Sequence, residues 1–292
     1  MSLKRARMTS GKIQYMALST TPPQVTDNAS SQYLELLKKT LTYGIYADRE
    51  MRESLGPERV INAVQYGTGF LAPAHTMLGL ERLNLLHTCI DTIASDATPG
   101  SMIQTGVWRG GGLIFMAAAA RRYGLTRLIY GLDSFQGLPK QDHVRFPRES
   151  CSIGYDAAKA LIVLLDDVIE TIGRYGFGPA ERHHAKGIVK MGGGIRLVPG
   201  WFETTLKKLR TETWSLAHLD GDLYSSTWTA LSEIYPRMNP GGYVIVDDYL
   251  SVEGCKRAVE DFVERLPQRP EIMACGPAVF WRKPRETNGN AA

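Results

Sequence analysis

The chain is short of cysteine, has no long apolar run and carries no dense block of one charge. Its four cysteines, Cys89, Cys151, Cys255 and Cys275, are scattered through 292 residues without a C-x-x-C pair. That spacing argues against a thiolate zinc centre and for a reducing, cytoplasmic setting. No stretch approaches the length of a bilayer span, and the first residues lack a signal-type apolar core, so no membrane partner is expected. The net charge of +4 comes without Lys/Arg clusters interleaved with aromatics, so no nucleic-acid partner is expected either. The dinucleotide fingerprint G-x-G-x-x-G is missing as well: three non-glycine residues separate Gly106 from Gly110-Gly111-Gly112. A backbone pattern made for a pyrophosphate is therefore absent. What remains, 43% hydrophobic and 22% charged, is ordinary for a globular enzyme of one large domain or two small ones.

Two apolar runs end abruptly in carboxylates. They are Leu219-Asp220-Gly221-Asp222-Leu223-Tyr224 and Ile245-Val246-Asp247-Asp248-Tyr249. Buried strands of a parallel sheet read as short apolar runs, and ligands bind just past their C-terminal ends. Adjacent strands of this kind aim four carboxylates at one place, where like charges raise one another's pKa. A hard divalent cation with oxygen ligands removes the conflict. Taken singly, each Asp also suits a helix N-cap or a turn. Two such clusters at strand-helix-strand spacing favour the metal.

Residues 1–30 are polar and read as a disordered arm, and 31–72 as an N-terminal helical or lid segment. Within it Leu34, Leu37, Leu41 and Ile45 recur at helical spacing, while Met51 to Pro73 reads as a loop. The main domain spans 73–284, and 285–292 is a polar tail. It begins with an amphipathic helix, His75 to Ser95. Strand Met102–Thr105, the turn Gly106–Gly112, helix Leu113–Tyr123 and strand Leu128–Leu132 ending at Asp133 make a nucleotide-binding βαβ unit. The block Pro139 to Gly194 is irregular around a helix from Ala157 to Tyr175, where Asp166-Asp167 read as a solvated mid-helix face. His183-His184 read as solvated loop. Strands follow at Ile195–Val198, Ser215–Asp220 and Tyr243–Asp247, with a closing hairpin of Ile272–Ala274 and Ala278–Trp281.

A glycine turn that lets the backbone approach an adenosyl sulfonium fits S-adenosylmethionine better than NAD. Asp133 would accept from the ribose hydroxyls that both ligands share. Trp201 either stacks on adenine or belongs to the core. Arg109 either meets a cofactor carboxylate or caps the turn. His218 reads as a satisfied core histidine.

Six strings then carry a resemblance. They are T-G-V-W-R-G-G at 105–111, D-S-F-x-G-L-P at 133–139, D-G-D-L-Y at 220–224, A-H-T-M at 74–77, G-W-F at 200–202 and G-G-Y-V-I-V-D-D-Y at 241–249. Together they resemble the macrocin O-methyltransferase family, whose members use S-adenosylmethionine and a metal to methylate deoxysugar hydroxyls on macrolides and aminocoumarins. The resemblance runs from about Tyr33 to Trp281. It implies an α/β, Rossmann-like class I methyltransferase fold, with a mostly parallel seven-stranded sheet, helices on both faces and an N-terminal helical extension. It implies S-adenosylmethionine and Mg2+, a small-molecule glycoside acceptor and a homodimer or higher homo-oligomer. Asp220, Asp247 and Asp248 would be the magnesium ligands. Asp222 would be the general base, or Asp220 while bound to metal. Thr105, Gly106, Val107, Trp108, Arg109 and Gly110, with Asp133, Ser134 and Trp201, would hold the cofactor, and Thr76 and Met77 would lie near its methionine end. Two departures stand out. Gln104 occupies the place of a family Glu, which would remove a charge near the cofactor's ammonium, and the connection Pro179 to Gly194 is long. The rival readings are a catechol-type O-methyltransferase of the same fold, an NAD-dependent oxidoreductase and a catalytically silent scaffold.

Overall fold

The two acid-tipped runs become neighbouring strands of a mixed sheet flanked by helices. The architecture comes from a computed structural model that describes residues 3–9, 12–18, 28–68, 71–140, 143–146, 159–181 and 187–285. The central strands are β3 (Ser101–Thr105), β4 (Ile129–Asp133), β7 (Ile195–Pro199), β8 (Trp214–Leu219) and β9 (Met238–Val246), numbered along the chain with β1 (Leu3–Thr9), β2 (Lys12–Leu18), β5 (Pro179–Glu181) and β6 (Val189–Met191). β10 (Met273–Cys275) and β11 (Ala278–Arg282) close the chain. The order across the sheet is β2-β1-β10-β11-β9-β8-β3-β4-β7-β6-β5. The five strands from β9 to β7 all pair in parallel. β11 runs against both β9 and β10. The seven expected strands form one contiguous block, and the described residues extend it to eleven. β5 and β6 add one edge, and β1 and β2 add the other by pairing Lys4 with Ala274. The arm expected to be disordered thus contains a hairpin with Thr9 opposite Lys12. Its sequence signal is a Ser-Gly dipeptide between two runs of strand-forming residues.

Register brings the functional ends together. Thr105 sits opposite Leu132 and Leu219, and Leu219 opposite Val246, so β3, β4, β8 and β9 all end on the same edge. One face of the sheet packs under α1 (Asn28–Leu41), α4 (Gly79–Ser95) and α5 (Gly111–Arg122), whose buried residues include Leu34, Leu86, Ile90, Leu113 and Phe115. α5 is apolar on every side because it is covered on every side, from Leu113 to Ala120. The opposite face packs under α8 (Tyr224–Ile234) and α9 (Glu253–Glu264), with Trp214, Leu231 and Trp281 at its centre.

Three local expectations are corrected. Met51 to Pro73 contains α2 (Arg49–Leu55) and α3 (Pro57–Ile61) rather than a bare loop. Asp48 caps α2 by accepting from Met51 N at 2.8 Å, and Pro57 stands in the first turn of α3, where a missing N–H costs nothing. The helix expected from Ala157 begins outside the described residues; Lys159 and Ala160 are helical, the helix then breaks, and α6 (Leu165–Ile172) follows, so Asp166 and Asp167 lie in a first turn, where the helix dipole favours acids. His183-His184 and Cys151 lie outside the described residues. α7 (Phe202–Thr205) follows β7 directly. Among the described residues no helix is long and apolar enough to cross a membrane.

Candidate active site

The ends of β3 and β4 build a cradle from main chain. After β3 the backbone turns through Gly106 at φ +83°, a region closed to most side chains. A Cβ there would lie 1.7 Å from the carbonyl oxygen of Asp220, so only glycine lets the β3 turn lie against the end of β8. Asp133, at the end of β4, clasps this turn. Its Oδ2 accepts from Val107 N at 2.8 Å and Trp108 N at 3.2 Å, and its Oδ1 accepts from Phe135 N at 2.8 Å. Three backbone N–H groups thus occupy most of a carboxylate's acceptor sites. Ser134 Oγ donates to Gly137 O at 2.7 Å and folds the next turn back.

The ends of β8 and β9 supply the carboxylates. Asp220 and Asp222 are half-buried at the cavity floor, Asp247 is buried, and Asp248 lies beside them. Burial, then the charges of Asp247, Asp248 and Asp222, push the Asp220 carboxyl well above the ordinary range. Burial, then Asp222 and Asp247, do the same to Asp248. Asp222 is pushed up to about 6, by burial first and then by Asp247. Asp247 goes the other way. Burial works against its charge, yet the Arg82 guanidinium and the His218 ring hold its carboxyl below the usual value. Arg82 Nη1 donates to Asp247 Oδ2, and His218 Nε2 lies 3.3 Å from Oδ1. His218 Nδ1 is buried and has no hydrogen-bond partner among the described residues.

The donor set fits a hard cation. Carboxylate oxygens dominate, and two of the acids are raised by burial first and then by neighbouring carboxylates, Asp247 foremost for Asp220 and Asp222 foremost for Asp248. One ligand atom from each of His218, Asp220 and Asp247 falls within a span of 4.8 Å. Asp248 is not in that group; its Oδ2 accepts from Asp222 N at 3.2 Å.

A cavity of about 530 Å³ opens above the cluster, a size typical of small-molecule sites. Met77, Gly106, Trp108, Asp133, Ser134, Trp201, Asp220 and Asp222 line it. Leu138, Pro139, Phe146, Leu161 and Phe202 give it an apolar wall, and Ser225, Ser226 and Thr229 of α8 give it a hydroxyl-bearing one. Trp108, Phe135 and Asp222 have φ values of 47°, 55° and 55°. These left-handed conformations each cost about 1–2 kcal/mol in a non-glycine residue, and all three follow strands that border the cavity.

The remaining candidates lie behind this lining. Asp247 and Asp248 sit beneath it, and Thr105, Val107 and Gly110 hold up the turn. Thr76 Oγ1 accepts from Leu78 N at 3.2 Å. Arg109 faces away: it donates to Ala72 O and to Ala74 O (2.8 Å for the latter), stacks on Trp108 and borders a second cavity with His75 and Tyr175. Gln104 is 3% exposed and outside the cavity lining, its Nε2 donating to Gly106 O at 3.0 Å. The charge expected of the family Glu would therefore sit behind the turn. His218, read as a satisfied core histidine, is buried and its Nε2 meets Asp247. One residue escaped the sequence reading. Arg82 was not singled out, although it falls at helical spacing with Leu85, Leu86 and Cys89, and a cation in a buried stripe demands a partner.

Comparison with known proteins follows the same lines. The family profile Macrocin-O-methyltransferase (TylF) matches residues 64–283. The 8-demethyl-8-(2,3-dimethoxy-alpha-L-rhamnosyl)-tetracenomycin-C 4'-O-methyltransferase of Streptomyces olivaceus is 37% identical over 88% of this chain and 95% of its own. The mycinamicin III 3''-O-methyltransferase of Micromonospora griseorubida is 34% identical over 86% of this chain and 96% of its own. The structure of the O-methyltransferase NovP superposes with a TM-score of 0.72 at 31% identity, over 88% of this chain and all of that one.

Proposed function

The chain belongs to the macrocin-O-methyltransferase family and is an S-adenosylmethionine-dependent O-methyltransferase, and we propose that it methylates a hydroxyl of a deoxysugar on a natural-product glycoside, with a divalent cation held by Asp220, Asp247 and Asp248. The single observation that carries the site assignment is the carboxylate cluster at a cavity that the β3 glycine turn also lines. The relatives named for rhamnosyl and macrolide glycosides support the acceptor class. Bound at this site, S-adenosylmethionine supplies a methyl group on a sulfonium leaving group, and Mg2+ supplies Lewis acidity toward a hydroxyl of very high pKa.

The chain's own groups do the rest. The turn from Gly106 to Gly110, clasped by Asp133, would position the cofactor, and Asp133, which lines the cavity, would accept from its ribose hydroxyls. Trp201, more than one-third exposed at the cavity wall, offers a surface for adenine. The apolar wall excludes water, so positioning converts an encounter into an in-line arrangement. Asp222 takes the acceptor's proton. In the cation-free site burial and then Asp247 raise its carboxyl to about 6, so it is ionised above neutrality and ready to accept. Asp220 can take the same role from its place beside it.

The test is a panel of deoxysugar glycosides and catechols, each run with Mg2+ and with EDTA. Glycoside methylation that EDTA abolishes is the expected result. Asp247→Asn, which keeps an acceptor for Arg82, removes that turnover while S-adenosylhomocysteine still binds within a few-fold of the wild-type affinity. Full turnover in EDTA refutes the cation assignment, and methylation confined to catechols refutes the acceptor class.

A further inference from the structure

Arg82 lies in the first turn of α4 and is 5% exposed. Its planar head reaches four acceptors. Nε donates to Leu78 O at 2.8 Å, Nη2 donates to Met77 O at 2.6 Å and to Gly67 O at 3.1 Å, and Nη1 donates to Asp247 Oδ2. Met77 walls the cofactor cavity, and Asp247 belongs to the carboxylate cluster. The main chain closes tightly around the guanidinium. Gly67 has φ +65°, and a Cβ there would fall 2.2 Å from Nη2 and 2.1 Å from Met77 O. A charge this deep is tolerated only where it is paired and fully hydrogen-bonded.

We infer that Arg82 is a positioning residue: it is the built-in counter-charge of the carboxylate cluster, and its fork ties the main chain at Met77, on the wall of the cofactor cavity, to Asp247. The inference rests on the cation and cofactor sites proposed above. The two halves separate chemically. Lysine keeps the charge but cannot reproduce a planar fork that serves three carbonyls and a carboxylate. Glutamine removes the charge. Without Arg82 the acids repel one another, and an added divalent cation relieves more repulsion than it does in the wild type. Its field reaches beyond Asp247, since it also opposes the rise of the Asp220 and Asp248 carboxyls.

The experiment measures thermal midpoints in EDTA and in MgCl2, calorimetric affinity for S-adenosylhomocysteine, and kcat and KM, on the full chain and its Arg82→Gln and Arg82→Lys variants. Arg82→Gln should lose more midpoint in EDTA than in MgCl2, so its magnesium-induced rise exceeds that of the wild type. Arg82→Lys should recover the wild-type magnesium response. It should bind S-adenosylhomocysteine about tenfold more weakly, the scale of losing one or two buried hydrogen bonds to a charged group, with KM for the cofactor rising more than kcat falls. An equal midpoint loss with and without Mg2+ in Arg82→Gln marks a packing role and overturns the inference. So does an Arg82→Lys affinity within twofold of wild type, and that arm alone decides if Arg82→Gln does not fold. A wild type that binds S-adenosylhomocysteine but ignores Mg2+ overturns the cation reading together with this one. A wild type that responds to both ligands, with variants that behave like it, overturns only the role of Arg82.

Discussion

Asp220→Asn should stabilise the metal-free protein while abolishing its function. Asp220 and Asp247 present oxygens within 4.8 Å of one another, and burial and that charge are the two largest causes of the raised Asp220 carboxyl. At an effective dielectric constant near 20, two unit charges at that distance repel by roughly 3 kcal/mol. Arg82 already offsets part of this. About 1–2 kcal/mol of relief remains, which for a chain of this size raises the midpoint by about 2–3 °C. The assay is differential scanning calorimetry at pH 8 in EDTA, repeated with MgCl2. Wild type should gain from magnesium and the variant should not, so the two curves converge when the cation is present. A variant less stable than wild type in EDTA refutes the reasoning, because Asp220 would then be a net stabilising partner and not a strained one. A site held in electrostatic conflict until its ligand arrives exchanges stability for activity, and neutralising it should reverse that exchange.

Three further outcomes follow from the same geometry. Asp222→Asn removes the proposed base, and kcat should fall by about 10²–10⁴-fold while the affinity for S-adenosylhomocysteine stays within a few-fold; an unchanged kcat in steady-state kinetics removes Asp222 from the chemistry. Gly106→Ala forces a Cβ against the Asp220 carbonyl at a left-handed φ, so it should cost roughly 2–4 kcal/mol in urea unfolding and weaken cofactor binding in the same protein. His87 is held neutral, its pKa lowered to about 4 by burial and then by Lys38, whose Nζ lies 3.1 Å from Nδ1. The folded pKa is depressed below the unfolded value near 6.5, so this cost is absent above pH 6.5 and grows as pH falls toward 4. It reaches about 3 kcal/mol at most. Wild type should therefore lose stability on acidification more steeply than His87→Gln, and parallel slopes between pH 6.5 and 4 would contradict the assignment.

The βαβ unit and both acid tips were legible because they are local. Met102 to Thr105 runs straight into a glycine turn, and apolar strands stop at charged residues. What escaped was set by tertiary convergence or by caps. Arg82 meets Asp247 across 165 positions of chain, a contact no spacing along α4 encodes beyond a cation in a buried stripe. Asp133 was read as a ribose acceptor and lines the cavity, yet its carboxylate is mostly occupied with turn amides, because an acid at the end of one strand beside the amide-rich turn of the next is drawn to those N–H groups first. Gln104 was read as facing the ligand, but strand alternation turns it behind the turn, where its amide holds the Gly106 carbonyl in a way a carboxylate cannot. The helices between Arg49 and Ile61 were hidden by their Gly and Pro content, although Asp48 and Pro57 mark both starts.

Anomalous scattering from a crystal grown with MnCl2 and S-adenosylhomocysteine puts the carboxylate cluster to the most direct test. One strong peak per chain within coordinating distance of Asp220, Asp247 and Asp248, with the homocysteine end of the ligand beside Met77, is the predicted result. A fully bound ligand with no peak there, or with the only peak elsewhere on the chain, would contradict the account.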